Sequence, residues 1–181
     1  TKNAAAEMKS RLVEVLGDRS ERVHLSTIHS FCYYLLKREG MTFEIVSGKE
    51  QLILMKEVMK QLKIKDLTVG TVLREISLAK NNLIFVDEFR DLFTGDKTML
   101  KVADIYERYD ELKFKKMLLD FDDLLIQSYV LLRDNEKIRG KYLEMFNSVL
   151  IDEFQDTNPV QLSLLKLLIT ENQDNSSFWV C

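Results

Sequence analysis

Apolar residues recur at three- and four-residue spacing over most of the chain, the period of a helix that buries one face. Ala4, Met8, Leu12 and Val15 form such a stripe over residues 3–16, with Gly17 behind it as a stop. Phe31, Tyr34 and Leu35 mark a second helix over 27–37, ending near Gly40, and Val23-His24-Leu25-Ser26 between the two predicts a short strand. From about Ser47 to Leu119 the pattern is helix after helix: 51–63 on Leu52, Met55, Met59 and Leu62, then 71–80, then 98–118 on Val102, Ile105, Tyr109 and Leu112. Asp120, with Asp123 three residues on, predicts the capped start of another helix, and 135–147 forms one more. Val149-Leu150-Ile151 is apolar at every position, as a strand buried on both faces requires. In Asn158-Pro159-Val160-Gln161, Asn158 suits the cap, Pro159 the first helical position, and Gln161 the closing of a capping box. A last strand is predicted at Phe178-Trp179-Val180-Cys181. Strands alternating with helices at both ends predict an α/β fold with parallel strands, and the helical middle predicts an inserted subdomain.

Composition fits this picture. At 46% apolar and 30% charged, the 181 residues can bury a core, and no apolar run approaches the ~20 residues of a spanning helix. The net charge of −3 excludes a protein coated in basic residues but not a local nucleic-acid groove. Residues 1–40 hold seven Lys and Arg against five Asp and Glu, so the basic excess lies at the amino-terminal end. Cys32 and Cys181 have no metal-ligand spacing, which predicts free thiols, and with no signal peptide in view a cytoplasmic location. The opening residue is Thr1 and the chain stops inside an apolar strand, which predicts a piece of a longer protein.

One pair of residues points to chemistry. In an open parallel sheet ligands collect at the carboxyl ends of strands, and Val149–Ile151 would deliver Asp152 and Glu153 to that edge. Adjacent acids there would be costly to bury without a partner, and Mg²⁺ carried by nucleotide phosphates is such a partner, needing few protein ligands. Asp152 then suits the metal and Glu153 the attacking water. Two acids capping the next helix would explain the same four-residue pattern, so the pair alone leaves both readings open.

The longer string Val149-Leu150-Ile151-Asp152-Glu153-Phe154-Gln155-Asp156-Thr157-Asn158-Pro159-Val160-Gln161 resembles motif II of the UvrD/PcrA/Rep-type superfamily 1 DNA helicases. Four further segments resemble that family in the same order. Thr1-Lys2-Asn3-Ala4-Ala5-Ala6-Glu7-Met8 is similar to its motif Ia, and Thr27-Ile28-His29-Ser30-Phe31-Cys32 to its Thr-x-His-Ser-Phe segment. Ile76-Ser77-Leu78-Ala79-Lys80-Asn81 resembles part of its helical 1B subdomain, and Asp120-Phe121-Asp122-Asp123-Leu124-Leu125 the re-entry into its first RecA-like domain. The resemblance implies an incomplete parallel RecA-like (P-loop NTPase) sheet divided as 1–45 and 120–181, with an all-helical subdomain at 46–119 between. It implies ATP and Mg²⁺ as cofactors, Asp152 on the metal, Glu153 as catalytic base, and Gln155 sensing the γ-phosphate or coupling hydrolysis to motion. Thr1, Lys2, Asn3, Thr27 and His29 would lie on a single-stranded DNA path, where hydroxyls, amides and helix ends hold phosphate without reading sequence.

There are departures. Lys2 precedes Asn3 where the family has the reverse order, and no Gly-x-x-x-x-Gly-Lys-Ser/Thr phosphate loop occurs in the chain. The expectation is therefore part of a 3′-to-5′ ATP-dependent helicase acting on single-stranded and duplex DNA, inactive without the rest of its own chain. The alternatives are a helicase–nuclease subunit and a non-catalytic DNA-binding module. Leu83-Ile84-Phe85-Val86-Asp87-Glu88-Phe89-Arg90-Asp91 mimics the motif II run, but it has Arg90 in the place of Gln155 and sits in the helical middle, where it is expected to start a short helix. Lys80 and Asn81 are expected at a solvated helix end or near duplex DNA.

Overall fold

The computed structural model describes residues 2–146, 148–169 and 177–180, the first and last four of them as backbone alone. The chain is mixed α/β and mostly helical. Its order is α1 (Lys2–Leu16), α2 (Ile28–Arg38), β1 (Glu44–Ile45), α3 (Gly48–Gln61), α4 (Val69–Asn81), α5 (Val86–Leu92) and α6 (Lys97–Lys115). Then come β2 (Leu118–Leu119), α7 (Phe121–Asp134), α8 (Glu136–Met145), β3 (Ser148–Ile151), α9 (Pro159–Lys166) and β4 (Ser177–Val180).

Two apolar clusters organise the described residues. The first joins Cys32, Leu35 and Leu36 of α2 to Leu124, Leu125 and Leu132 of α7, with Ile151 of β3 and Val160 and Leu164 of α9. The second is built within residues 54–112, from Leu54, Met55 and Val58 of α3, Val72 and Ile76 of α4, Phe89 of α5, and Val102, Ile105, Tyr106 and Tyr109 of α6. α6 contributes the stripe its apolar spacing predicts, Val102, Ile105, Tyr109 and Leu112, whereas Tyr34 of α2 and Leu52 of α3, predicted on buried faces, are exposed. The chain leaves the first cluster at β1 and returns at β2, and these two short strands pair in parallel, Glu44 beside Leu118 and Ile45 beside Leu119. This pair escapes a reading by pattern because two residues are too few to show a period.

The segment between α4 and α5 alternates between the two clusters: Leu83 and Phe85 pack on the first, Ile84 and Val86 on the second. The motif II look-alike therefore starts α5, as expected. Glu88 accepts the Phe85 backbone N–H at 3.1 Å, and Arg90 is held by Asp104 and Glu107 of α6 at 2.9 and 2.8 Å.

Several expectations need correction. Residues 23–27 form no strand: Val23 and Thr27 have extended backbone, but no described strand runs alongside to pair with them. The stripe of α1 is largely uncovered, with Met8 and Val15 exposed among the described residues. Nor is β3 buried on both faces. Its ladder within the described residues is with β4 alone, Val149 beside Phe178 and Ile151 beside Val180, and Leu150 is 71% exposed while Ile151 is 8% exposed.

The joint between the clusters is polar. Lys80, at the end of α4, is 2% exposed and not solvated as its position predicts. Its Nζ donates to Asp123 Oδ1 at 2.5 Å and Asp110 Oδ1 at 2.8 Å. Lys113 of α6 is as deeply buried and donates to Asp120 Oδ2 at 2.7 Å and to Asp123. Asp120 caps α7 as predicted and also forms with Asp123 a reciprocal box, each carboxylate accepting the other's backbone N–H at 2.9 Å. The caps of α7 thus double as counter-ions for two lysines of the helical middle. Burial pushes the Asp120 carboxyl up, but the Lys80 and Lys113 ammonium groups outweigh it and hold the group below its usual range. Burial pushes Lys80 down, and the surrounding carboxylates of Asp123, Asp120 and Asp110 more than reverse that. Every buried side-chain polar atom among the described residues has a partner, as buried polar groups must if they are not to cost free energy.

Candidate nucleotide site and DNA path

β3 ends at Ile151, and the next two residues, Asp152 and Glu153, are both exposed. The desolvation cost that would demand a partner for buried acids does not arise. Glu153 has φ 53° and ψ 46°, the left-handed region. Three other non-glycine residues share that sign of φ: Lys63, Leu83 and Met117. Each of those follows the cap of α3, α4 or α6, where left-handed residues commonly end helices. Glu153 alone among the described residues adopts it at a strand end. A left-handed non-glycine residue costs about 1–3 kcal/mol and is characteristic of functional turns.

The turn is closed tightly. Asp152 Oδ1 accepts the Glu153 backbone N–H at 3.0 Å, and Gln155 Nε2 donates to Glu153 Oε2 in a short hydrogen bond. The Asp156 and Thr157 backbone N–H groups donate to the Glu153 and Phe154 carbonyls at 2.9 and 3.0 Å, forming one 3-10 turn over Phe154–Asp156. Asn158 then caps α9 with Pro159 behind it. Its Oδ1 accepts the Gln161 backbone N–H at 2.9 Å, and Gln161 Oε1 accepts the Asn158 N–H at 3.3 Å, which is the predicted box. Asp152, Glu153 and Gln155 are thus gathered on one exposed turn whose two ends are fixed by β3 and α9.

The donor set suits a nucleotide-borne cation. Neither Asp152 nor Glu153 is ion-paired within the described residues, and both offer hard oxygen. No group of three His, Cys, Asp or Glu among the described residues could cage a metal by itself. Mg²⁺ needs no such cage when phosphates and water supply the remaining oxygens.

The expected DNA-path residues are placed unevenly. Thr1 lies outside the described residues, and Lys2 and Asn3 are described only as the backbone of the first turn of α1. Thr27 caps α2: its Oγ1 accepts the Ser30 N–H at 3.2 Å and donates to Ser30 Oγ at 2.9 Å. His29 sits one residue into α2, half-buried, with its ring edge-on to Phe121 at 6.2 Å. Burial lowers its pKa, opposed by the nearby Asp122 carboxylate. His24 is held between Phe31 and Phe146, with Ser26 Oγ 3.2 Å from its Nε2. Cys32 is a free, fully buried thiol whose pKa is pushed up to about 12 by burial, and Cys181 lies outside the described residues.

Sequence reasoning missed Asn81 as a connector. Its Nδ2 donates to Ser77 O at 2.8 Å and to Asp122 Oδ1 at 3.1 Å, and its Oδ1 accepts from Asn158 Nδ2 at 2.6 Å. Asp122 and Asn158 lie on separate segments, 41 and 77 residues away, so no local spacing signals those contacts.

The family model that describes the UvrD/REP helicase N-terminal domain matches residues 1–181. Similar proteins include the ATP-dependent DNA helicase PcrA of Bacillus subtilis (strain 168), 32% identical over 96% of this chain and 24% of its own length. The probable DNA helicase II homolog of Mycoplasma capricolum is 33% identical over 93% of this chain and 25% of its own. The ATP-dependent DNA helicase Rep of Buchnera aphidicola is 30% identical over 96% and 28%. The chain spans about a quarter of the length of these relatives. With the family's domain matched from end to end, on a mixed α/β fold whose acids stand at the end of a parallel strand, the chain belongs to the UvrD/Rep helicase family.

Proposed function

We propose that this chain is part of an ATP-dependent DNA helicase that travels 3′ to 5′ on single-stranded DNA and opens duplex. The observation that carries the reading is the exposed Asp152–Glu153–Gln155 turn at the end of β3, with Glu153 held left-handed where no helix ends. In this reading Asp152 holds Mg²⁺ and Glu153 takes the proton of the attacking water. Gln155, already bonded to Glu153, orients that carboxylate and reports on the γ-phosphate. ATP with Mg²⁺ supplies the phosphoryl chemistry, for which the protein's task is positioning and charge.

In this reading 1–45 and 120–181 form the RecA-like part and 46–119 the helical insertion; the two apolar clusters support it in outline, although Leu83, Phe85 and Leu119 pack on the first. Thr1, Lys2 and Asn3 with Thr27 and His29 form the DNA path, the hydroxyl and amide of which suit sequence-blind phosphate contacts. The remainder of the protein's own chain supplies the phosphate loop and the second RecA-like domain. A cytoplasmic location belongs to this reading, and no described helix is long and apolar enough to cross a membrane.

The test is Glu153→Gln in the full-length protein. Nucleotide binding stays intact while hydrolysis falls by about a hundredfold or more, the usual contribution of a positioned base. Hydrolysis at a near-normal rate would remove Glu153 from the mechanism. The 181-residue chain by itself should show no DNA-stimulated hydrolysis, and turnover there would show that it holds a complete site.

A further inference from the structure

Asn81 belongs to the helical middle, yet it touches the segment that follows the proposed catalytic turn and the start of α7, which packs against His29 of the proposed DNA path. Asn158, three residues after Gln155, donates to it at 2.6 Å. Asp122, which faces it from the first turn of α7, accepts from it at 3.1 Å. Asp122 is also the acid that acts on His29, and its neighbour Phe121 is the ring against which His29 sits.

The orientation of this chain of amides is dictated, not arbitrary. The Asp122 carboxylate only accepts, so it must face Asn81 Nδ2. The Gln161 backbone N–H only donates, so it must face Asn158 Oδ1, which leaves Asn158 Nδ2 for Asn81 Oδ1. Every member therefore has one role fixed by a group that can play no other. The seam is also rooted on the α4 side, where Asn81 Nδ2 bonds back to Ser77 O at 2.8 Å and reaches Ser77 Oγ at 3.2 Å. Between Asn158 and Glu153 runs only the 3-10 turn, closed by its own backbone bonds. A displacement at Asp122 is thus handed through one side-chain amide to the cap of α9 and along a short, closed turn to Gln155.

We propose that Asn81 is a positioning residue that couples the DNA path at His29 of α2, through Phe121 and Asp122 of α7, to the water-activating turn at Glu153–Gln155. The inference rests on the helicase reading above. Asn81 touches neither nucleotide nor DNA in this scheme; it sets how strongly DNA occupancy accelerates hydrolysis.

The experiment uses the full-length protein, with ATP hydrolysis measured with and without saturating oligo-dT. Asn81→Asp sets a carboxylate against Asp122 and removes the donor between them. Hydrolysis without DNA stays within about twofold of wild type, while the stimulation by DNA falls by about fivefold or more, the scale of an ordinary coupling between sites. Asn81→Asp combined with Asp122→Asn exchanges the partners: a donor amide again faces an acceptor carboxylate, and the carboxylate at position 81 still accepts from Asn158. Stimulation then recovers to within about twofold of wild type, a rescue that simple loss of packing does not give. Unchanged stimulation in Asn81→Asp overturns the proposal. A parallel fall of both rates overturns it too, since the seam would then be scaffold, and so does an exchanged pair that stays impaired. Where Asn81→Asp fails to fold by circular dichroism, Asn81→Ala is judged by the same split between the two rates. A wild-type protein that DNA does not stimulate overturns the helicase reading itself and takes this proposal with it.

Discussion

Replacing Lys80 by methionine keeps the length of the side chain and removes its charge. In the structure the Lys80 and Lys113 ammonium groups face three carboxylates, Asp110, Asp120 and Asp123, of which the last two are nearly inaccessible. After the change, Lys113 alone must balance all three. Asp123 Oδ1 loses its donor at 2.5 Å and Asp110 Oδ1 its donor at 2.8 Å, and the ammonium contacts with the Tyr106 and Tyr109 rings, at 5.4 and 5.7 Å, go with them. Breaking one partner out of a buried pair costs about 3–5 kcal/mol, because the other charge stays buried. A lysine on a solvated helix end would cost within about 0.5 kcal/mol. The two descriptions of Lys80 therefore differ by several-fold in a quantity that urea denaturation of the 181-residue chain, followed by circular dichroism, measures directly.

The pH dependence separates charge from packing. In wild type Asp120 is held below its usual range, so its contribution is present above the unfolded pKa and is lost only as pH falls through the lower folded value. In Lys80→Met a buried carboxylate without its cation binds a proton more readily in the folded state, which stabilises the variant as pH falls. The gap between the two proteins is widest near about pH 7.5 and narrows towards about pH 5. A loss under about 1 kcal/mol, or one that stays constant over that range, would refute the account: the first places Lys80 in solvent, the second makes the effect one of shape.

Glu153→Gly should relieve the left-handed strain and raise the chain's stability by about 0.5–1 kcal/mol, since glycine adopts that backbone freely but loses more entropy on folding. The same change removes the proposed base. A loss of more than about 1 kcal/mol in urea denaturation would show that the turn is not strained. Asp122→Asn should move the His29 pKa further down, because burial already lowers it and Asp122 is the group that opposes burial. A group held neutral by the fold lowers stability as pH falls below its unfolded pKa, so acid sensitivity below about pH 6.5 should increase with it. Ring-carbon NMR titration of His29 checks the first and urea denaturation at falling pH the second, and an upward shift would remove Asp122 from its surroundings.

What could be read from the sequence divides along a physical line. The caps at Asp120 and Asn158, and the box at Gln161, were legible because a cap is a contact between residues three apart. The helical middle was legible because burial on one face leaves a period of 3.6. The Asp152–Glu153 pair and Gln155 were legible as a group through their order in a longer string, and the structure adds the left-handed turn that holds them together. The β1–β2 pair was not legible, since two residues carry no period. Residues 23–27 misled because apolar residues in an extended run give a strand its pattern but not its partner. Lys80 misled for the opposite reason: its three carboxylates lie 30, 40 and 43 residues away in sequence, and a lysine at a helix end looks solvated from local context.

Lys80 and Asn81 are neighbours in α4, but they serve different contacts on α7. Lys80 binds Asp123 in the buried charge cluster, whereas Asn81 binds Asp122 at its edge and reaches across to Asn158 on α9. An apolar joint would tolerate small sliding of one helix on another, because dispersion and burial are not directional. These contacts are not so tolerant. Shifting α4 along α7 by one helical turn, about 5.4 Å, breaks the bonds of both residues together and strands charge in a dry interior. The insertion can therefore move relative to α7 only as far as these hydrogen bonds stretch, and whatever movement remains is carried to α9 through the Asn81–Asn158 bond. The cluster that anchors the insertion is thus also what makes a single amide able to transmit a displacement to the turn that carries Glu153.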